Sequence, residues 1–159
     1  MDFNSDFCFF CDYTHNLDEK GRLALPSGLR EELGRSERPE LVFAKATGAS
    51  ETSEAYLTLY PYEHWRKLVA AMEASITDTD RRNAALRAFT KDGRQLNLDK
   101  AGRVLISPEQ RVAAGLGREV RILGLGSKIQ IWDVAGHERK EAQDKAVLDE
   151  VTETLGLNF

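Results

Sequence analysis

Cysteine is scarce in this chain, with only Cys8 and Cys11 among 159 residues. They form a C-x-x-C followed by His15, but zinc would need a fourth ligand, and the matching second C-x-x-C is missing. Phe9, Phe10 and Tyr13 make the surroundings strand-like, unlike the helix start that a redox dithiol uses. The pair reads as packing or plain exposure, with no disulfide and no metal expected. Histidine is limited to His15, His64 and His137 in unrelated contexts, and His64 reads as a surface or packing residue. No G-x-S-x-G, Walker loop or H-E-x-x-H is present, so no catalytic residue and no cofactor is nominated. No apolar run approaches the roughly 18 residues of a membrane span. No charged-then-apolar leader opens the chain, and a cytoplasmic location without a membrane partner is expected.

An excess of bases is missing too. The formal charge is -4 at pH 7, which argues against nucleic acid, because non-specific DNA affinity comes mostly from neutralising phosphates. The average conceals a gradient. Residues 1–12 hold three acids and no bases, residues 133–159 hold seven acids and three bases, and the middle is left at +3. From Arg94 to Arg121, six bases face three acids. Such asymmetry suits a polyanion partner and equally a solvated mixed-charge surface.

What the chain does contain is a duplication. Residues 16–34, NLDEKGRLALPSGLREELG, return 81 positions later as residues 97–115, NLDKAGRVLISPEQRVAAG, with no gap and seven identities in nineteen positions. With common residues near 7% of usage, chance supplies roughly one or two. Leu23 against Val104 and Leu25 against Ile106 add apolar matches. A chain of 159 residues, 42% apolar, is near the size of one domain, so two such halves are expected to share a core.

Each copy reads as strand, tight connection, strand and short helix. In the first, strands at Tyr13–Leu17 and Arg22–Leu25 are predicted around Asp18-Glu19-Lys20-Gly21, with Gly21 tolerating the positive φ of a reversal. A helix is predicted over Gly28–Leu33, stopped by Gly34. In the second, strands at Gln95–Leu98 and Arg103–Ile106 flank Asp99-Lys100-Ala101-Gly102, and a helix over Pro108–Ala114 precedes Gly115. β-rich runs follow at Glu40–Ala44 and Tyr56–Tyr60, across the polar segment Thr47–Glu54. Their counterparts are Glu119–Leu123 and Lys128–Trp132, across Gly124–Ser127, which is too short for a phosphate loop and fits a hairpin turn. Pro61 opens a helix whose Trp65, Leu68, Val69 and Met72 form an apolar face. Asp78 or Thr79 caps another through Phe89, with Leu86 and Phe89 turned inward, until Lys91-Asp92-Gly93 breaks it. Trp65 and Trp132 follow these periodicities as core residues. Beyond Trp132 a long acidic helix is predicted, with a seam of Leu148, Val151 and Leu155. It docks on the body or a neighbouring subunit, or frays.

The constellation with the most chemical content is Asp18 with Arg22 and its copy, Asp99 with Arg103. Across a tight connection, a carboxylate can accept the guanidinium fork and fix the direction of a long side chain. An Arg so oriented can meet a phosphate or the O6 and N7 edge of guanine. The same residues also serve a purely structural turn, with Asp capping it and Arg bracing the hairpin.

These elements resemble the MraZ family of bacterial transcriptional regulators, within the AbrB-like superfamily. The resemblance rests on H-N-L-D-E-K-G-R-L-A-L-P (His15 to Pro26), L-D-K-A-G-R-V-L-I-S-P (Leu98 to Pro108), L-Y-P-Y-E-H-W (Leu59 to Trp65) and I-Q-I-W (Ile129 to Trp132). It covers about residues 9–140. It implies a β-rich α+β fold of two tandem swapped-hairpin AbrB-like units forming a pseudo-symmetric barrel with flanking helices. It further implies a ring-like homo-oligomer, associated with the nucleoid, that binds repeated double-stranded DNA boxes upstream of the division and cell-wall gene cluster. The chain divides into an N-terminal extension (1–8), a first repeat (9–76), a helical bridge (77–93), a second repeat (94–140) and an acidic C-terminal tail or helix (141–159).

The family's proposed DNA-contact positions transfer to Asp18, Arg22, Asp99 and Arg103, the arginines making contacts and the aspartates orienting them. Lys20 and Lys100 supply local positive charge. Arg30 and Arg111, matched between the copies, are secondary DNA-binding candidates that could equally pair with neighbouring acids. Three departures stand out: Ser107 replaces the first of two usual prolines and is expected to loosen the second strand-to-helix junction, the segment before Phe9 is extended, and Cys11 stands where Gly is common. The tail beyond Lys140 lies outside this resemblance. The competing readings are a non-catalytic assembly protein and an AbrB-like antidote subunit with a partner-binding tail, although two units in tandem argue against the latter.

Overall fold

Both copies of the motif fold as strand, turn, strand and helix in the computed structural model, which describes residues 6–47 and 55–159. In the first copy these are β1 (Phe9–Asn16), β2 (Arg22–Ala24) and α1 (Ser27–Gly34), followed by the hairpin β3 (Leu41–Thr47) and β4 (Tyr56–Pro61). Two helices, α2 (Tyr62–Ser75) and α3 (Thr79–Thr90), lead to the second copy: β5 (Arg94–Leu96), β6 (Arg103–Leu105), α4 (Pro108–Ala113) and the hairpin β7 (Glu119–Gly126) and β8 (Lys128–Asp133). The chain finishes with α5 (Val134–Leu155). From residue 48 on, the polar connection predicted over Thr47–Glu54 lies outside the described residues, as do residues 1–5 of the N-terminal extension.

The strand pairing exchanges elements between the copies. One sheet runs in the order β1-β7-β8-β4-β3-β5, and β2 pairs with β6 in a separate ribbon. β1 of the first copy therefore adds to the hairpin after the second, and β5 adds to the hairpin after the first, all antiparallel. Exchanging β1 with β5, β7 with β3 and β8 with β4 returns the same order. The central β4–β8 pair aligns Leu57 with Ile131 and Leu59 with Ile129. All four are fully buried, in one cluster with Leu23, Val104, Leu29, Leu33, Leu41 and Ile122. The halves thus share a core, and the fold is α+β with a six-stranded sheet. Among the described residues no closed barrel is detected: the pairing ends at β1 on one side and β5 on the other.

Local differences from the sequence reading have physical causes. β1 begins at Phe9 rather than Tyr13, because all eight of its residues find partners on β7. Gly124 is a strand residue, not a turn residue: a Cβ there would lie 2.9 Å from the backbone N of Phe10, so only glycine lets β1 approach this closely. The reversal falls on Gly126, at φ 69°, and Ser127. Ser107 does not loosen its junction. Its Oγ accepts from the N–H of Gln110 at 3.2 Å while its own N–H donates to Gln110 Oε1 at 2.9 Å, a complete capping box for α4. α5 is continuous rather than frayed. Its buried residues are Gly136 and His137, and Val147, Leu148, Val151 and Leu155 farther along are exposed. None of the described helices is long and apolar enough to cross a membrane.

Candidate nucleic-acid interface

After Asp18 the chain must reverse within four residues, and the aspartate makes that reversal. Its Oδ1 accepts from the N–H groups of Lys20 (2.9 Å) and Arg22 (2.8 Å), and its Oδ2 accepts from Arg22 Nε at 2.5 Å. Asp99 repeats the arrangement, with Oδ1 accepting from Ala101 and Arg103 N–H, both at 2.9 Å, and Oδ2 from Arg103 Nε at 2.8 Å. Gly21 at φ 83° and Gly102 at φ 75° complete the turns in the left-handed region expected for them. The N–H of Arg22, first among several donors, holds the Asp18 carboxyl below its ordinary range, and that of Arg103 does so for Asp99. Each aspartate thus closes its turn and restrains its arginine with the same group. The same carboxylate caps the turn through one oxygen and accepts the arginine Nε–H through the other.

The register of the β2–β6 ribbon brings the two motifs together. Arg22 lies opposite Leu105, and Ala24 opposite Arg103. Antiparallel partners share a face, as do residues two apart, so Arg22, Ala24, Arg103 and Leu105 occupy one side. On the other side Leu23 and Val104 are fully buried. Arg22 and Arg103 are diagonal neighbours on the outer side, a relation that separates the stems by about 7–8 Å. Their side chains are 35% and 34% exposed, and Arg103 Nη1 lies 3.9 Å from Asp18 Oδ2. Exposed ion pairs contribute little stability, but each arginine here is tied to its aspartate at Nε.

The other nominated bases are placed differently. Lys20 and Lys100 are both exposed, yet they hold non-equivalent turn positions, since Lys20 aligns with Ala101 and Lys100 with Glu19. Arg30 and Arg111 form no ion pair among the described residues. Instead each crosses to the other copy: a Cβ on Gly102 would lie 2.6 Å from Arg30 Cδ, and one on Gly21 would lie 3.1 Å from Arg111 Cζ. The residues missed from sequence are Leu105 and Ala24, which put an apolar and a small side chain between the two arginines. The signal was present in R-L-A and R-V-L, where strand alternation places the third residue on the face of the first.

The remaining candidates have ordinary structural positions. Cys8 is exposed, while the half-buried Cys11 donates its thiol to the Ile122 carbonyl at 3.6 Å. Burial pushes that thiol up, the reverse of an activated cysteine. No three His, Cys, Asp or Glu side chains converge as a metal site among the described residues. His64 is buried against Tyr60, with ring centres 5.8 Å apart, and burial is the largest cause lowering its pKa. His137 is likewise buried, edge-on to Trp132 at 5.8 Å. The two histidines thus share a context, in the first turns of the helices after β4 and β8. Trp132 is buried as expected and stacks on Tyr56 at 4.5 Å. Trp65 is half-buried and stacks on Phe89 between α2 and α3, outside the main core.

Comparison with known proteins agrees with this duplicated architecture. Relatives named "Transcriptional regulator MraZ" from Burkholderia mallei, Burkholderia pseudomallei and Burkholderia cenocepacia are each 37% identical over 126 residues, 79% of this chain and 82% of theirs. A family model described as "MraZ protein, putative antitoxin-like" matches twice, over residues 9–87 and 90–159, which brings the acidic tail inside the likeness as well. With matches spanning nearly the whole chain, the protein belongs to the MraZ family.

Proposed function

We propose that this protein is a DNA-binding transcriptional regulator whose contact surface is the outer face of the β2–β6 ribbon. The observation that carries the reading is the convergence of Arg22 and Arg103 on that face, each held by its own aspartate. Arginines fixed in direction lose less conformational freedom when they meet phosphate oxygens or guanine edges. A two-stranded ribbon also fits the roughly 12 Å width of the major groove. Arg22 and Arg103 make the principal contacts, Asp18 and Asp99 orient them, and Lys20 and Lys100 add positive charge at the turns. The relatives' name supports regulation of transcription as the purpose of binding.

The finer features rest on the family resemblance. They are repeated promoter boxes upstream of the division and cell-wall gene cluster, a ring-like homo-oligomer, a cytoplasmic, nucleoid-associated location, and no catalytic role. In a ring, many modest contacts act together through effective concentration, which offsets the acidic net charge. The crossed pairing of β1 and β5 supports describing the two repeats, 9–76 and 94–140, as swapped-hairpin units on either side of the bridge at 77–93.

A second reading, a partner-binding antidote, draws on the exposed apolar row Val147, Leu148, Val151 and Leu155 of α5. Fluorescence anisotropy with the duplex upstream of the protein's own gene, against a scrambled duplex at two salt concentrations, separates the two. Affinity should fall steeply with salt and vanish in the double variant Arg22→Ala, Arg103→Ala while oligomer size stays unchanged. Equal affinity for both duplexes by folded, oligomeric protein would defeat the DNA reading and favour a partner protein.

A further inference from the structure

Arg30 and Arg111 occupy matched positions on α1 and α4, yet neither turns to the motif of its own copy. Arg111 lies over Gly21, its Nε and Cζ each 3.1 Å from where a Cβ would stand, and Arg30 lies over Gly102, its Cδ, Nη1 and Nε at 2.6, 2.9 and 3.0 Å. Both glycines are buried although they belong to surface turns. Main-chain hydrogen bonds cross at the same places: Ile106 N–H donates to the Gly21 carbonyl at 2.8 Å, and Leu25 N–H donates to the Gly102 carbonyl at 3.1 Å. Arg111 Nε is shut off from solvent with no hydrogen-bond partner among the described residues. A guanidinium whose Nε is sealed against a turn is poorly placed to give that group to a phosphate. Its planar surface instead limits the space in which the turn can move.

We propose that Arg30 and Arg111 are positioning residues exchanged between the copies. Arg111 holds the turn that aims Arg22, and Arg30 holds the turn that aims Arg103. The aspartate fixes each contacting arginine relative to its own turn, and the opposite copy's arginine fixes the turn itself. Each site is therefore completed by a residue of the other copy, and neither is correctly aimed by its own copy alone. For Arg111 this assignment replaces the role of secondary DNA contact; for Arg30, an exposed residue, it rests on the approach to Gly102, and the consequence for affinity rests on the DNA-binding reading above.

The test uses the full chain and two independent readouts. In the absence of DNA, hydrogen exchange at Nε of Arg22 and Arg103 is followed by arginine side-chain NMR in Arg30→Ala and Arg111→Ala. The same measurement is made in Arg30→Met and Arg111→Met, which retain an apolar stem over the glycine should the alanine variants fail to fold. Arg111 variants should speed exchange at Arg22 Nε by about tenfold and leave Arg103 Nε unchanged, with the reverse for Arg30 variants, as expected when one local restraint is lifted. Equal changes at both arginines, changes confined to the same copy, or no change would overturn the proposal. Salt-dependent DNA titration supplies the second readout. A positioning residue lowers affinity by about three- to tenfold at an unchanged salt slope, whereas a direct phosphate contact lowers the slope by about one when removed. A drop in slope for Arg30 or Arg111 variants would overturn the positioning role. Wild-type protein without DNA affinity would instead defeat the functional reading, while the exchange measurement still decides this one.

Discussion

The turns at Gly21 and Gly102 share their aspartate, glycine and arginine, their backbone conformation and their aspartate hydrogen bonding, but their surroundings differ. A main-chain oxygen, that of Ile106, stands 2.6 Å from a Cβ at Gly21, while the nearest atom to one at Gly102 is Arg30 Cδ, also at 2.6 Å. Side-chain carbons can swing away, but the carbonyl of a fully buried residue whose own N–H is bonded to the Gly21 carbonyl cannot. The aspartates differ as well, because Asp18 lies within 3.9 Å of the other copy's arginine and no matching approach of Asp99 to Arg22 occurs among the described residues. Duplication has preserved the chemistry of the turn while letting its support diverge, and the first turn is the more tightly enclosed.

The largest expected effect tests that enclosure. Gly21→Ala should cost about 3 kcal/mol from the left-handed backbone plus the carbonyl clash, and Gly102→Ala about 1–2 kcal/mol, as read from urea unfolding midpoints. Equal costs would show that the backbone conformation alone matters. Next comes the junction after each ribbon strand, where α4 has a capping box and α1 has Pro26 at the cap position with no side-chain cap. Ser107→Ala should lose about 1 kcal/mol, measured the same way. A smaller contrast concerns DNA: Asp18→Asn should weaken binding by about threefold more than Asp99→Asn, because it also releases Arg103. Identical losses in anisotropy titrations would mean that the 3.9 Å approach has no role.

The smallest effect belongs to the helix after the first hairpin. Burial, helped by Lys67 and Lys128 and opposed by Asp6, lowers the His64 pKa below its ordinary 6.5. The unfolded chain then takes up the proton first, so stability is complete above about pH 6.5 and declines as pH falls toward the lowered value. His64→Gln should remove that part of the decline between about pH 7.5 and 5.5, seen as a reduced shift in the unfolding midpoint. An unchanged shift would place the acid sensitivity elsewhere.

Much of this comparison was legible in the sequence. The repeat, the glycine turns and the Asp–Arg pairs follow from local chemistry, because each turn is closed by residues within four positions of one another. The strand exchange was implied only by the resemblance, because edge pairing between Phe9 and Gly126 depends on the whole topology, not on neighbouring residues. The match of Arg30 with Arg111 is legible in sequence, but the groups they meet are not: the alternative of pairing with neighbouring acids is not realised among the described residues, and each meets a glycine turn of the other copy. Comparison with a proline at position 107 predicts a looser junction, whereas a serine three residues before Gln110 is itself a capping signal. Trp65 kept its helical periodicity but faces α3, as a second helix can bury an apolar stripe as well as a sheet can.

The exchange of β1 and β5 also orders events during synthesis. Phe9 emerges from the ribosome long before its partner Gly126. The hairpin β3–β4 can close as soon as it is translated, whereas β1 must wait with its backbone hydrogen-bonding groups unpaired. β1 is therefore paired well after it is made, and a nascent chain that stops short of β7 carries an unmatched strand throughout that wait.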